Sequence, residues 1–389
     1  MVTRRACLTG CGALAIAGPA RIWGMDRTQA GSERAPAGLE LARIRALEAQ
    51  FEGASLLERM ARHRVPGVSI AVTLAGRTAW AKGYGLREAG TTFAVTPDTR
   101  FQAASISKPV AALATLKLVD QGLLDLDADV NKYLRQWTLP ASPFTAEGPV
   151  TLRHIMSHSA GLSVHGFSGY PPGVTLPSVP QILDGVPPAN SPPVRSVEAP
   201  GVRTEYSGGG IMIEQLAVMD VTGRDYGRLL TESVLHPLGM EHSSYAQPPS
   251  SSMAAAAATA HDEAGNPIRG HWHVYPEQAA AGLWTTPRDL ARYIIAVQAA
   301  VAGEMHAVIS RPLARQMVTP QLDDAGEMHF GLGPEVDGAR FRHGGSNEGF
   351  RCQFAAAIDG AFGAVVMTNG AQGGELIKEI FPIIEKTLG

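Results

Sequence analysis

Ser105 and Lys108 are the two side chains whose types and spacing most clearly predict chemistry in this chain. Residues three apart share one face of a helix, so the serine hydroxyl can lie within hydrogen-bond reach of the lysine amine. A serine becomes a strong nucleophile when a neighbouring base takes its proton, and a neutral lysine can be that base. The chain has only 6 lysines against 27 arginines. Because arginine cannot be deprotonated in a protein, lysine at this position fits the predicted role.

The flanking residues predict a helix that begins close to Ser105. Pro109 follows Lys108 directly, and proline is tolerated in the first turn of a helix, where its missing N–H is not needed. Apolar residues then recur from Val110 towards a stop at Gly122. Backbone N–H groups at a helix N-terminus stabilise a developing anion, which favours a nucleophile there. The alternative is that Ser105 only caps the helix and Lys108 is solvated.

Two later segments contain further residues that suit a reactive site. Tyr206-Ser207-Gly208 follows a proline-rich stretch and opens a run of glycines, which allow close backbone approach to a ligand. His343-Gly344-Gly345-Ser346-Asn347 follows a strand-like segment and is predicted to form an edge beside a substrate. Taken singly, Tyr206 could be a core tyrosine and His343 a strand-end histidine.

With these three motifs in this order, the chain resembles the serine β-lactamase and penicillin-binding-protein superfamily. The likeness is greatest to the branch that contains class C β-lactamases, D-stereospecific peptidases and β-lactamase-like esterases. Ser105 and Lys108 match the first motif of the family. Tyr206-Ser207-Gly208 matches the second and His343-Gly344-Gly345 the third. Segments 65–71, 151–162 and 281–290 are also similar to connecting blocks of the family, and the likeness runs from about Leu39 to the C-terminus.

The resemblance implies acyl-enzyme catalysis without a metal or other cofactor. Ser105 would attack a carbonyl, and Lys108 and Tyr206 would share the proton transfers. Backbone N–H groups of Ser105 and Ser346 would form the oxyanion hole. His343 would line the cleft and orient either a substrate carboxylate or the proton network of Tyr206. The resemblance also implies substrate-binding positions at Ser207, Gly208, Gly344, Gly345 and Asn347.

Two departures from the family pattern shape the predicted substrate. Gly208 stands where most members have an asparagine, and His343 stands where efficient β-lactamases have a lysine. The chain therefore lacks a side-chain amide and a permanent positive charge, which argues against an optimised β-lactamase. A β-lactamase-like esterase is favoured, because esters need less protonation of the leaving group. The alternatives are a D-amino-acid-specific peptidase or carboxypeptidase acting on a D-peptide, and a weak β-lactamase or non-catalytic penicillin-binding sensor with a β-lactam-like ligand.

Composition and the N-terminus indicate an exported globular protein. The net charge is −3 and basic runs are missing from the sequence, so nucleic acid is not an expected partner. Arg4 and Arg5 precede a short apolar run that resembles a twin-arginine signal, so residues 1–30 are predicted to be an export signal and disordered linker leading to the periplasm. A lipoprotein box ending at Cys11 is less favoured. After signal removal only Cys352 remains, and neither an intrachain disulfide nor a membrane span is expected.

Hydrophobic patterns predict an α+β protein, and the resemblance implies a β-lactamase-like fold over residues 31–389. One antiparallel sheet is expected from both chain ends, about 39–100 and 281–389, flanked by helices, with a mostly helical region of about 101–280 inserted between them. The cleft should lie where the two parts meet, with the proline-rich segment 171–200 as a wall over it. His154, His158 and Asp289 are predicted to hold loops. The predicted elements are helices at Leu39–His63 and Glu375–Leu388 and strands at Val68–Thr73, Thr78–Gly85, Phe350–Ile358 and Ala364–Thr368.

Overall fold

The computed structural model describes residues 37–52, 54–146, 148–323 and 328–388. These residues belong to one compact unit, and the export signal predicted for residues 1–30 lies outside the described residues. The strands are β1 Gly67–Leu74, β2 Arg77–Gly85, β3 Phe101–Gln102, β4 Trp284–Thr285, β5 Glu335–Asp337, β6 Arg340–Asn347, β7 Phe350–Ala357 and β8 Phe362–Thr368. The α-helices are α1 Ala37–Phe51, α2 Ala54–Arg62, α3 Ser107–Asp120, α4 Leu152–Met156, α5 Val179–Asp184, α6 Gly208–Thr222, α7 Tyr226–Leu230, α8 Ser251–Ala255, α9 Gln278–Ala281, α10 Pro287–Ala302, α11 Arg311–Met317 and α12 Gly373–Leu388.

Six strands form one antiparallel sheet in the order β2-β1-β8-β7-β6-β5. The N-terminal hairpin pairs with the C-terminal strands through β1 and β8, so the predicted sheet from both chain ends is confirmed. Ala75 and Gly76 join β1 to β2 with φ angles of 48° and 73°. Two consecutive positive φ values are what a two-residue hairpin turn requires, because they match the twist of the strands.

Both faces of the sheet are buried against helices. Along β8, Ala364 and Val366 pack into the core beneath α1, α2 and α12. Val365 and Met367 point the other way, into the larger core that contains α10 and the inserted helical region. Successive side chains of a strand point to opposite faces, so a strand covered on both sides is apolar throughout.

The inserted region leaves and rejoins the sheet domain at one point. Phe101 in β3 pairs with Thr285 in β4, and Gln102 pairs with Trp284. The two ends of the inserted region are therefore held side by side. This junction brings the start of α3 close to the segment that contains α9.

The predicted N-terminal helix Leu39–His63 is two helices in the structure, α1 and α2. The interruption falls at Glu52, directly before a glycine in the sequence. Glycine weakens a helix interior more than any residue except proline, because it loses the most backbone freedom on folding. The break lets both helices pack on the same face of the sheet, with Leu47 of α1 and Leu56 of α2 fully buried.

Glu214 is a buried carboxylic acid inside the inserted helical region. It lies on α6, and the Thr115 hydroxyl donates a 2.6 Å hydrogen bond to Oε1. Burial raises the pKa of Glu214 from its ordinary value of 4.5 to about 7, although the hydrogen bond from Thr115 opposes the shift. The folded protein therefore holds this proton to a higher pH than the unfolded chain does.

We expect Glu214 to make stability fall with rising pH. Its contribution is complete below pH 4.5 and is lost as the pH rises to about 7, a change of about 3 kcal/mol in the free energy of unfolding. Denaturant titrations at pH 4.5 and 7.5 should show a smaller loss in Glu214→Gln than in the wild type. The surface variant Glu304→Gln is the control and should retain the full loss. An unchanged pH dependence in Glu214→Gln would contradict this account.

Candidate active site

Ser105 and Lys108 meet at the start of α3. A 3₁₀ turn, Ala104–Ile106, carries Ser105 and runs directly into the helix. The Lys108 amine donates hydrogen bonds to Ser105 Oγ at 3.1 Å and to the Ala280 carbonyl at 2.8 Å. Lys108 is only 3% exposed. In the described parts of the chain, no carboxylate lies within ion-pair distance of its ammonium group.

The turn that presents Ser105 is held in an unusual backbone conformation. Ala104, directly before Ser105, has a φ of 48°, a left-handed conformation that costs energy for a residue with a Cβ. The Ser107 hydroxyl donates a 2.5 Å hydrogen bond to the Ala104 carbonyl, and it accepts one from the Leu283 N–H at 2.9 Å. The Tyr245 hydroxyl donates to the Ser107 carbonyl at 2.6 Å. These bonds fix the position of the nucleophile from several elements at once.

Tyr206 faces Lys108 from the N-terminus of α6. The Lys108 nitrogen lies 5.0 Å from the centroid of the Tyr206 ring. The hydroxyl of Tyr206 is buried and has no hydrogen-bond partner among the described residues. A buried hydroxyl without a partner is costly, so the arrangement is unusual for a tyrosine with a purely structural role. The phenol is available for a group that enters the site.

His343 on β6 completes the group as a neutral ring. Its Nδ1 lies 2.6 Å from the Gly344 carbonyl and donates to it, which leaves the lone pair on Nε2. Nε2 is buried and has no partner in the described structure. Burial and the nearby positive charge of Lys108 lower the pKa of His343 to about 3, although the bond to Gly344 favours the charged ring. His343 is therefore an uncharged acceptor, 6.1 Å from Tyr206 between ring centroids.

Strand β6 lies directly against the turn that carries Ser105. A Cβ at Gly345 would be 2.3 Å from the Ala103 carbonyl oxygen and 2.5 Å from Cys352 Sγ. A glycine is thus required for this approach of backbone to backbone. The contact places Ser346, the next residue of β6, in the lining of the same cavity as Ser105.

The cavity at this edge of the sheet has a volume of about 430 Å³. One end is lined by Ser105, Tyr206 and His343, and the backbone of β6 runs along one side. The remaining wall is mixed: apolar side chains come from Met328, Phe330 and Ile377, and charged ones come from Glu335, Arg351 and Lys378.

The structure brings together most of the predicted site residues. Ser105, Tyr206, His343, Gly344, Gly345 and Ser346 line the cavity, and Lys108 lies behind Ser105. The predicted substrate-binding residues Ser207, Gly208 and Asn347 are not among the described residues of the lining. Ser207 caps α6 by accepting the Gly210 N–H at 2.9 Å. Gly208 packs against the loop at Phe167, and Asn347 donates to Gln102 at 2.8 Å, bridging β6 to the inserted region.

Sequence reasoning missed the part that His158 takes in the site. It was expected to hold a loop, and it does so by accepting the Glu205 N–H at its carbonyl at 2.7 Å. Its ring also lies 4.2 Å from the Tyr206 ring between centroids. Burial, Lys108 and His343 lower the pKa of His158 well below its ordinary value. Its neighbours in sequence carry no signal for this contact, because the contact exists only after folding. Asp289 also holds a loop as expected, since it accepts the His242 N–H at 2.9 Å.

Two further expectations concern elements outside the catalytic group. None of residues 171–200 is found among the described residues that line the cavity, so the predicted wall over the cleft is not seen there; part of the segment borders a separate groove beside Trp272. The described ranges contain no cluster of three or more histidine, cysteine or acidic residues that could hold a metal ion. Within the same ranges, the helices are too short or too polar to cross a bilayer.

This fold and site define a member of the β-lactamase-fold serine hydrolase superfamily. A family model described as Beta-lactamase matches residues 54–386. The chain therefore belongs to the β-lactamase family.

Relatives and solved structures agree with this assignment. Protein flp of Staphylococcus aureus strain N315 is 26% identical over 232 residues, covering 57% of this chain and 42% of that protein; the match spans less than half of its length. The octameric penicillin-binding protein homologue from Pyrococcus abyssi has a TM-score of 0.69 at 24% identity, covering 89% of this chain and 79% of that one. D-alanine carboxypeptidase AmpC from Burkholderia cenocepacia has a TM-score of 0.65 at 20% identity, with coverages of 88% and 99%. The structural likenesses show the shared fold.

Adjacent glycines on β6 give a matched test of the contact between the strand and the nucleophile turn. We expect Gly345→Ala to lower the free energy of unfolding by about 1–3 kcal/mol, because its Cβ overlaps backbone atoms that cannot move independently. Gly344→Ala is the control, since the nearest atom to its Cβ is the Cys352 carbonyl oxygen at 3.9 Å. Its effect should stay within about 0.5 kcal/mol. Equal losses in denaturant titrations of the two variants would show that β6 does not lie this close to the turn.

Proposed function

We propose that this chain is a β-lactamase-like carboxylesterase that hydrolyses ester substrates through an acyl-enzyme on Ser105. The observation that carries the proposal is the 3.1 Å hydrogen bond between Lys108 and Ser105, at the mouth of a cavity where the third-motif side chain, His343, is neutral. The first feature supports acyl transfer, and the second supports the choice of ester.

Acylation begins with the transfer of the Ser105 proton to a neutral Lys108. Before this step Lys108 has to lose a proton of its own, and that loss breaks no ion pair with any described carboxylate. Ser105 Oγ then forms a bond to the ester carbonyl carbon, and the oxyanion is stabilised by the backbone N–H groups of Ser105 and Ser346. One such donor is typically worth about 3 kcal/mol of barrier. The ester C–O bond then breaks, and the leaving alkoxide takes the proton held on Lys108, either directly or through Tyr206, which Lys108 reprotonates. Water attacks the acyl carbon and gives a proton to Lys108, and that proton passes to Ser105 Oγ as its bond to the acyl carbon breaks.

The surroundings of the nucleophile support an ester better than an amide. An amide nitrogen has to be protonated firmly as it leaves, whereas an alcohol of lower pKa needs less assistance. His343 cannot supply the fixed positive charge of a third-motif lysine, because its pKa is about 3. Gly208 has no side chain to hold a substrate amide and is packed away from the cavity. Phe330 and Met328 offer apolar surface for an acyl chain.

Variants at Lys108 test the role of the lysine as a base. With p-nitrophenyl butyrate as substrate, we expect Lys108→Met to lower kcat by about 10²–10⁴-fold and Ser105→Ala to abolish turnover above background. Lys108→Arg is the informative control, because it keeps the positive charge but cannot give up a proton. It should be as inactive as Lys108→Met, provided that circular dichroism shows both to be folded. Substantial activity in Lys108→Arg would mean that the lysine acts only as a cation.

A D-amino-acid-specific peptidase is the second candidate, favoured by Arg351. Arg351 lines the cavity beside β6 and donates to the Asn347 and Phe350 carbonyls at 2.6 and 2.8 Å. In the described part of the protein no carboxylate is paired with it, so its charge could receive the terminal carboxylate of a peptide. The similar AmpC from Burkholderia cenocepacia is a D-alanine carboxypeptidase.

A substrate panel separates the candidates. We expect p-nitrophenyl butyrate to be turned over faster than D-alanyl p-nitroanilide, a D-alanyl-D-alanine peptide or nitrocefin. If the peptide is instead preferred, Arg351→Gln should raise its KM about tenfold or more, the loss of one charge-assisted hydrogen bond. A stable adduct with a fluorescent penicillin, without turnover of any substrate, would overturn the esterase in favour of a sensor.

A further inference from the structure

His158 receives a hydrogen bond from the residue on each side of Tyr206. The Glu205 N–H donates to the His158 carbonyl at 2.7 Å, and the Ser207 N–H donates to His158 Nδ1 at 3.2 Å. The His158 ring also covers the Tyr206 ring, with an interplanar angle of 35°. His158 therefore holds the backbone on either side of Tyr206 and packs against its ring.

His158 is itself fixed in place. It follows α4 with a φ of 56°, and its N–H donates to the Ile155 carbonyl at 3.1 Å. The His158 ring also packs against Phe330 in a T-shaped contact, 4.7 Å away between centroids. The side chain is 1% exposed, so the ring cannot rotate without displacing one of its neighbours.

The hydrogen bond from Ser207 also fixes the proton on the His158 ring. Nδ1 accepts, so the proton of the neutral ring is on Nε2, which is buried without a partner among the described residues. The titratable groups around the ring are Lys108, His343 and Tyr206. A neutral ring adds no charge beside Lys108, and only the neutral ring can accept at Nδ1.

We propose that His158 is a positioning residue that holds Tyr206 in its catalytic orientation without touching the substrate. The proposal rests on the proposed acyl-transfer function. His158 is not among the described residues of the cavity lining, so it acts through Tyr206. Displacing a catalytic group by about 1 Å can cost on the order of a hundredfold in rate, which sets the size of the expected effect.

Two substitutions at His158 suit its left-handed backbone, and they differ in whether an acceptor for the Ser207 N–H is retained. His158→Asn retains an acceptor for the Ser207 N–H, and His158→Gly removes both the acceptor and the ring, while both residues tolerate a positive φ. We expect His158→Gly to lower kcat for p-nitrophenyl butyrate about 10- to 100-fold with KM changed less than threefold. His158→Asn should recover at least half of that loss on a logarithmic scale. His154→Asn, on the short helix α4 that precedes His158, is the control and should leave kcat unchanged.

A double-mutant cycle with Tyr206→Phe distinguishes positioning from a general loss of stability. If His158 acts through the Tyr206 hydroxyl, His158→Gly should have no further effect on kcat once that hydroxyl is gone. A loss of kcat as large in the Tyr206→Phe background as in the wild type would overturn the proposal.

If the wild type turns over no ester, the proposed function fails and the inference is still testable. In protein labelled with 3-fluorotyrosine, the ¹⁹F resonance of Tyr206, assigned with Tyr206→Phe, should shift or broaden in His158→Gly and not in His154→Asn; an unchanged resonance would overturn the proposal.

Discussion

The hydrogen bonds of a buried lysine amine are the constraint around which this site is organised. Lys108 donates to Ser105 in the 3₁₀ turn directly before its own helix and to the Ala280 carbonyl near the end of α9. Lys108 and Ala280 are far apart in sequence. They are neighbours in space because β3 pairs with β4, which holds the two ends of the inserted region side by side. A lysine buried to this extent needs all of its donors directed at acceptors. The position of Ser105 therefore depends on how the inserted region packs, because the same amine bonds to both Ser105 and Ala280.

The polar groups around Lys108 come from several different elements of the fold. The 3₁₀ turn supplies a hydroxyl, α6 supplies a phenol at its N-terminus, and the edge of β6 supplies backbone and a neutral histidine. The glycine at position 345 lets the strand reach the turn. Catalytic geometry of this kind depends on rigid elements that meet at one place, because a loop alone would not hold the groups within the required tolerance.

Several polar atoms at the centre of the site are buried and unpaired in the described structure. They include the Tyr206 hydroxyl and Nε2 of both His158 and His343. Native proteins form hydrogen bonds to the great majority of buried polar groups. Several unpaired groups at one place therefore lower the stability of the folded protein there. The left-handed Ala104 beside Ser105 adds strain at the same spot. Strain and unsatisfied groups of this kind are typical of sites arranged for a reacting molecule rather than for the resting protein.

The sequence alone determined the local parts of this protein. The alternating strands, the turn at Ala75-Gly76 and the helix start imposed by Pro109 follow from residue types within a few positions. The Ser105–Lys108 pair also follows from them, because helical spacing is a local property. The three motifs in order were sufficient to indicate the family and hence the sheet built from both chain ends. The departures at Gly208 and His343 could also be read without coordinates.

Tertiary structure alone decided which residues line the cavity and which support them. Ser207 and Asn347 adjoin motif residues in sequence, yet one caps a helix and the other bridges two parts of the fold. His158 was predicted only to hold a loop and also lies against Tyr206, while Arg351 enters the cavity from a neighbouring strand. Such contacts join residues tens to hundreds of positions apart. They depend on how the strands and helices pack, and no pattern over a few neighbouring residues encodes that packing.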